Sequence, residues 1–133
     1  MPETPVVDPK PVLKWKSKLE EGDILAAEEY LTLCMPRELA KTAIAKFREH
    51  ATRIEFFKAK DILRACNLPP LNTESTGVQK KLTMIEEKDR LHVVLLVYYN
   101  GRTLLADGYH RTSATYLEGE TERVACVLIH LKD

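Results

Sequence analysis

Apolar positions along the chain recur at two different spacings, and the switches between them mark the elements. Ile24, Leu25, Ala27, Leu31 and Cys34 fall near one side of a helix that Asp23 can cap, running to about Leu33. Pro36 suits the first turn of a second helix, where its missing N–H would have no partner. That helix runs to about His50, with Leu39, Ala40, Ala43, Ile44 and Phe47 on one stripe. "RIEFF", residues 53 to 57, reads as a short strand, and "KAKDILRAC" reads as a short helix ending before Asn67. Thr76 and Gln79 form a T-x-x-Q capping box, and Val78, Leu82 and Ile85 predict an amphipathic helix over 77–88.

The spacing then changes. "LHVVLLVYY" is rich in β-branched and aromatic residues and predicts a buried strand. Asn100-Gly101 tolerates positive φ at both central positions of a hairpin turn, so "RTLLAD" is the return strand. This turn sets Val97 opposite Leu104 and Leu95 opposite Ala106. A helix from about Tyr109 to Glu118 stops at Gly119, a good residue for a left-handed cap. "RVACVLIH" is the last strand. Residues 108 to 123 are long enough for a crossover between parallel strands. The pattern is α+β, with residues 1–50 as an arm and helical extension and 51–133 as the sheet-bearing domain.

Composition narrows the possibilities only a little. The 133 residues favour one core. Twenty basic and twenty acidic residues balance, which disfavours a nonspecific DNA-coating role. Residues 1 to 11 hold four of the seven prolines and read as an arm, which Trp15 packs onto the body. Cys34, Cys66 and Cys126 are widely spaced, so reduced thiols are expected. No metal-ligand spacing links them to His50, His92, His110 or His130. The N-terminus has no basic start followed by an apolar run, and no stretch is long enough to span a bilayer. A soluble, cytoplasmic protein with no membrane association is expected.

The candidate chemistry sits in "LLADGYHRTSATYLEG", residues 104 to 119. A helix that starts straight after a strand presents free backbone N–H groups and the positive end of its dipole, which together suit an anion. Gly108 allows close approach, Arg111 can grip a phosphate in two-pronged fashion, and His110 can donate a hydrogen bond or move a proton. Asp107 can orient His110, hold a metal with bound phosphate, or cap the helix.

"ADGYHRTSA" resembles the D-G-x-H-R helix-start signature of the ParB/sulfiredoxin fold, including ParB-like "nuclease" domains. "KAKDILRACNLPPL", "GVQKKL", "VVLLV" and "LLADGYHRTSATYLE" resemble short bacterial ParB-like proteins of unassigned function, over about residues 53 to 131. The resemblance implies a mixed sheet with a β-hairpin and a β-α-β end. It implies a nucleotide or phosphate pocket lined by Gly108, Tyr109, His110 and Arg111, with Asp107 beside it. Sulfiredoxins carry a catalytic cysteine where this chain has Tyr109, and partition proteins carry a G-E-R-R type sequence, so neither activity transfers directly. ParB-fold free serine kinases have a nearer motif and need a separate glutamate, for which Glu55 is the candidate.

The expected function is therefore binding of a nucleotide, with Mg²⁺ at Asp107, or of a phosphorylated small molecule. An NTPase or phosphotransferase would use His110, Asp107 and Glu55 as its catalytic residues. The alternatives are a non-enzymatic interaction module with a vestigial pocket, or a ParB-like nuclease. "TLCMPRE" lacks the turn glycine of a helix-turn-helix, so sequence-specific DNA binding is not expected, and the N-terminal helices are expected to pack on the domain or meet a protein partner.

Overall fold

A computed structural model describes residues 13–132. The arm of residues 1 to 11 lies outside the described residues. The architecture is mixed α+β. In chain order the elements are β1 (Lys14–Trp15), α1 (Glu21–Cys34), α2 (Arg37–Glu49), β2 (Glu55–Lys58), α3 (Ala59–Ala65), α4 (Thr76–Glu86), β3 (Arg90–Leu91), β4 (Val94–Tyr99), β5 (Arg102–Asp107), α5 (Tyr109–Glu118) and β6 (Arg123–His130). The main sheet has the order β2-β6-β4-β5, and β1 pairs with β3 in a small parallel sheet.

Both faces of the main sheet are covered, which explains why β4 reads as a continuous apolar run rather than an alternating one. On one face Leu95, Val97, Leu104, Ala106, Val127 and Ile129 pack with Ile24, Ala27 and Leu31 of α1 and with Ala43, Ile44 and Phe47 of α2. On the other face Val94, Leu96, Val124 and Cys126 pack with Ala59 and Ile62 of α3, and Tyr109 and Tyr116 of α5 join them. The described part of residues 1–50 thus shares a core with the sheet. Trp15 touches all three apolar clusters of the molecule. It holds the start of the described chain onto the body, while the arm it was expected to pack lies outside the described residues.

Asn100 and Gly101 have φ values of 52° and 73°, so the hairpin forms as the dipeptide predicts. Val97 faces Leu104. Leu95, however, faces Asp107, because the register slips between Leu95 and Leu96. A β-bulge adds one residue to one strand of a pair, and here it displaces the expected Leu95–Ala106 pairing. The slip also carries Asp107 to the end of the ladder, next to α5.

Other expectations need correction. The cap of α4 is Ser75, whose hydroxyl accepts from Val78 N–H, and Gln79 reaches Thr73 C=O instead of closing a box with Thr76. Gly119 is extended, at φ 173°, not left-handed. "LHVVLLVYY" is broken after Leu91, which belongs to the small sheet. The strands joined by α5 are not parallel: β5 is antiparallel to β4, whereas β6 is parallel to it. The β-α-β segment therefore passes over β4. No described helix is long and apolar enough to cross a membrane.

Candidate functional site

At the end of β5 the chain turns into α5 through Gly108, at φ 113°. A Cβ here would lie 2.6 Å from Val94 Cγ2, so the turn needs glycine for both its conformation and its space. Gly108, not Asp107, is the N-cap, and no side chain caps the helix. The first intrahelical bond runs from Thr112 N–H to Gly108 C=O, at 2.9 Å. The N–H groups of Tyr109, His110 and Arg111 precede it and are left for another partner.

These groups border a cavity of about 510 Å³. Asp107, Gly108, Tyr109, His110 and Arg111 line it together, as the sequence proposes, and Asp23, Ala26, Tyr30, Lys81 and His92 complete it. Glu55 does not join them. It sits on β2, the opposite edge strand from β5, beside a different cavity.

Arg111 has an unexpected environment. It is only 6% exposed. Its Nη1 donates to Asp23 Oδ2 at 3.0 Å, and its Nη2 donates to Asp107. His92 Nδ1 lies 2.8 Å from the same Asp23 oxygen. One guanidinium thus joins two carboxylates from different elements. Burial pushes the Asp107 carboxyl above its ordinary range, and the Arg111 charge opposes that shift without reversing it. Burial lowers the Lys81 ammonium, the Arg111 charge lowers it further, and Asp23 and Asp107 pull it back.

Arg111, Asp23 and Asp107 together carry one excess negative charge, and Lys81 balances it. Arg111 is already engaged, so attraction for an anion must come from the helix start, Lys81 and His110. Tyr109 is anchored too, because its hydroxyl donates to Pro69 C=O. Behind it, Thr112 donates to Gly108 C=O at 2.9 Å, and Ser113 accepts from Leu71 N–H at 3.0 Å. These bonds fix the first turn of α5. His110 is exposed and packs on Gly77 of α4.

The residues do not favour a Mg²⁺ ion at Asp107. Its carboxylate and that of Asp23 already accept from Arg111, and a divalent cation would meet that guanidinium and Lys81 at close range. Among the described residues no group of three or more His, Cys, Asp or Glu side chains could hold a metal.

Asp23 and Lys81 were missed as site residues. Lys81 did leave a signal: it lies between Val78 and Ile85, on the flank of a buried stripe, where a charged residue needs a partner. Asp23 left none beyond a capping role that it does not take, since Glu20 is the N-cap of α1 and no side chain caps it. No protein-family model, curated protein or solved structure matches the chain.

Proposed function

We propose that this chain is a ligand-binding domain of the ParB-like kind, and that the cavity at the start of α5 takes a phosphate-bearing small molecule such as a nucleotide. One observation carries this reading: an uncapped helix start, entered through a left-handed glycine, opens into a cavity of about 510 Å³ beside Lys81 and His110. Free N–H groups at a helix start attract anions, and the dipole adds to the effect. The cavity volume falls within the range of small-molecule sites.

The roles of the residues follow from their environments. Gly108 brings the backbone close to the ligand. The N–H groups of the first turn and Lys81 hold the phosphate oxygens. His110, exposed at the rim, adds a donor. Arg111 acts from beneath, keeping α1, β5 and α5 in register through its two carboxylates. The site does not suit metal-dependent phosphodiester cleavage, because both nearby carboxylates are bound to Arg111.

The test is thermal melting with inorganic phosphate and with nucleoside mono-, di- and triphosphates, each with and without Mg²⁺. Ligand at a hundred times its Kd should stabilise the fold by about 2.7 kcal/mol. His110→Ala and Lys81→Ala should remove most of that gain and still fold. No stabilisation by any of these compounds, or equal stabilisation in both variants, would leave the interaction-module reading in its place.

A further inference from the structure

A second cavity, of about 320 Å³, lies at the far edge of the main sheet. Lys46 and His50 come from the end of α2, Arg53 and Glu55 from the entry to β2, and Leu128, Ile129 and His130 from the end of β6. In a chain with no net charge, four basic side chains meet a single carboxylate here.

The backbone adds donors. β2 starts at Glu55, opposite Cys126, so β6 runs on past it with no strand on that side among the described residues. Leu131 N–H donates to Tyr98 C=O of β4 at 2.9 Å. Backbone direction alternates along a strand, so the polar groups of Leu128 and His130 point the other way, beyond the end of β2. Lys46 Nζ takes the His130 carbonyl at 2.9 Å. By the same alternation the N–H groups of Leu128 and His130 face this side, where, outside the strand ladders, no backbone bond is made to them among the described residues. Nor do the side chains of His50, Arg53 or His130 form a hydrogen bond or ion pair there.

A simpler explanation covers only part of this. Lys46 is in the last turn of α2, where a cation complements the helix dipole. Arg53 and His130 lie outside that helix, and the strand N–H groups that face this side are independent of it. From this convergence we infer that the cavity is a second anion site, built for a small phosphate monoester. Leu128 N–H, His130 N–H and Arg53 would hold the phosphate oxygens, with Lys46 and His50 beside them. The volume admits a phosphate with a small substituent and is at the lower end for ligand sites. The inference is independent of the reading of the α5 cavity.

Inorganic phosphate is the probe, titrated into the full chain at constant ionic strength and followed by amide and imidazole NMR. The expected result is a saturable downfield shift of the Leu128 and His130 amides, with shifts of the His50 and His130 rings. Arg53→Ser should weaken this binding about tenfold or more, in keeping with the loss of a charge-assisted bond. Arg53 is exposed and forms no ion pair among the described residues, and His130→Gln provides a second variant should the first unfold. Shifts confined to residues 109–111 would overturn the inference while supporting the α5 site. Non-saturable shifts, shifts that chloride reproduces, or unchanged affinity in both variants would overturn it as well.

Discussion

Arg111 of α5 donates to Asp23 of α1 across 88 positions of sequence, at 3.0 Å. The bond ties a helix of the N-terminal fifty residues to the turn that forms the cavity. Removing the guanidinium would leave Asp23 and Asp107 partly buried without their cation. Arg111→Ala should therefore destabilise the protein by about 3 kcal/mol, the lower end of the range for breaking a buried pair. Asp23→Ala should cost less, because Asp107 still pairs with Arg111. Urea denaturation of the two variants checks the order. Equal and small losses would show that the network carries little stability. Arg111→Ala is accordingly a poor probe of ligand binding.

Asp107 should make stability depend on pH in an unusual direction. Its folded-state carboxyl is raised above the ordinary aspartate value of 3.8, chiefly by burial. A raised group contributes stability fully below the unfolded value, and that contribution is lost as pH rises through the folded value. Relative to Asp107→Asn, the wild type should gain stability as pH falls from neutral to below 3.8. Urea midpoints for the pair at neutral pH and on either side of the raised value test this. A wild-type advantage that shrinks on acidification would mean that the Arg111 charge outweighs burial.

Gly101 and Gly108 both have positive φ, but they differ in their surroundings. A Cβ at Gly101 would meet open space, whereas at Gly108 it would strike Val94 at 2.6 Å. Gly101→Ala should cost about 1 kcal/mol, from backbone strain alone. Gly108→Ala adds the collision and should cost at least 1–2 kcal/mol more, at roughly the scale of overpacking a core. Thermal melts of both variants give the comparison. Equal losses would mean that Val94 and the strand end yield easily.

Local signals were legible in the sequence, and long-range pairing was not. Asn100-Gly101 announced its turn because both residues tolerate positive φ. The stripe of Ala40, Ala43, Ile44 and Phe47 announced its helix because a 3.6-residue period needs no knowledge of the partner surface. The slip at Leu95 carries no comparable mark, since Leu95, Leu96, Leu105 and Ala106 are all apolar and suit either register. The break after Leu91 depends on β1, whose Trp15 pairs with Leu91 from 76 positions earlier in the chain. Asp107, Gly108, His110 and Arg111 were placed together because they are neighbours in sequence. The pairing of Arg111 was not legible because its partner Asp23 lies on a helix that reads, by itself, as an ordinary amphipathic segment.

The three free cysteines should differ in reactivity. Burial pushes the Cys66 thiol up to about 11. Cys126 is fully buried in β6, and burial raises it further still. The thiolate is the reactive form, so both should be inert in the native protein at neutral pH. Alkylation read by intact and peptide mass should label neither before denaturant is added, and all three cysteines afterwards. Rapid native labelling of Cys126 would show that β6 opens locally.

Gly77 offers a way to disturb the α5 cavity without altering a residue that lines it. It is the second residue of α4, and its φ is not in the left-handed region. A Cβ there would lie 2.5 Å from His110 Cδ2. His110 is exposed, so its ring has room to swing away. Alanine is the better helix former by up to ~1 kcal/mol, which offsets the cost of moving the ring. Gly77→Ala should therefore melt at or slightly above the wild-type temperature. If His110 holds a phosphate from the cavity rim, the same variant should lose ligand stabilisation about as much as His110→Ala does. The two changes act on one contact, so the double variant should lose no more than either single one. Calorimetric titration of the best phosphate ligand into all four proteins makes the comparison. Wild-type affinity in Gly77→Ala, alongside weakened binding in His110→Ala, would show that the ring keeps its place by some other contact. Fully additive losses would show that Gly77 acts on the ligand by a route separate from His110.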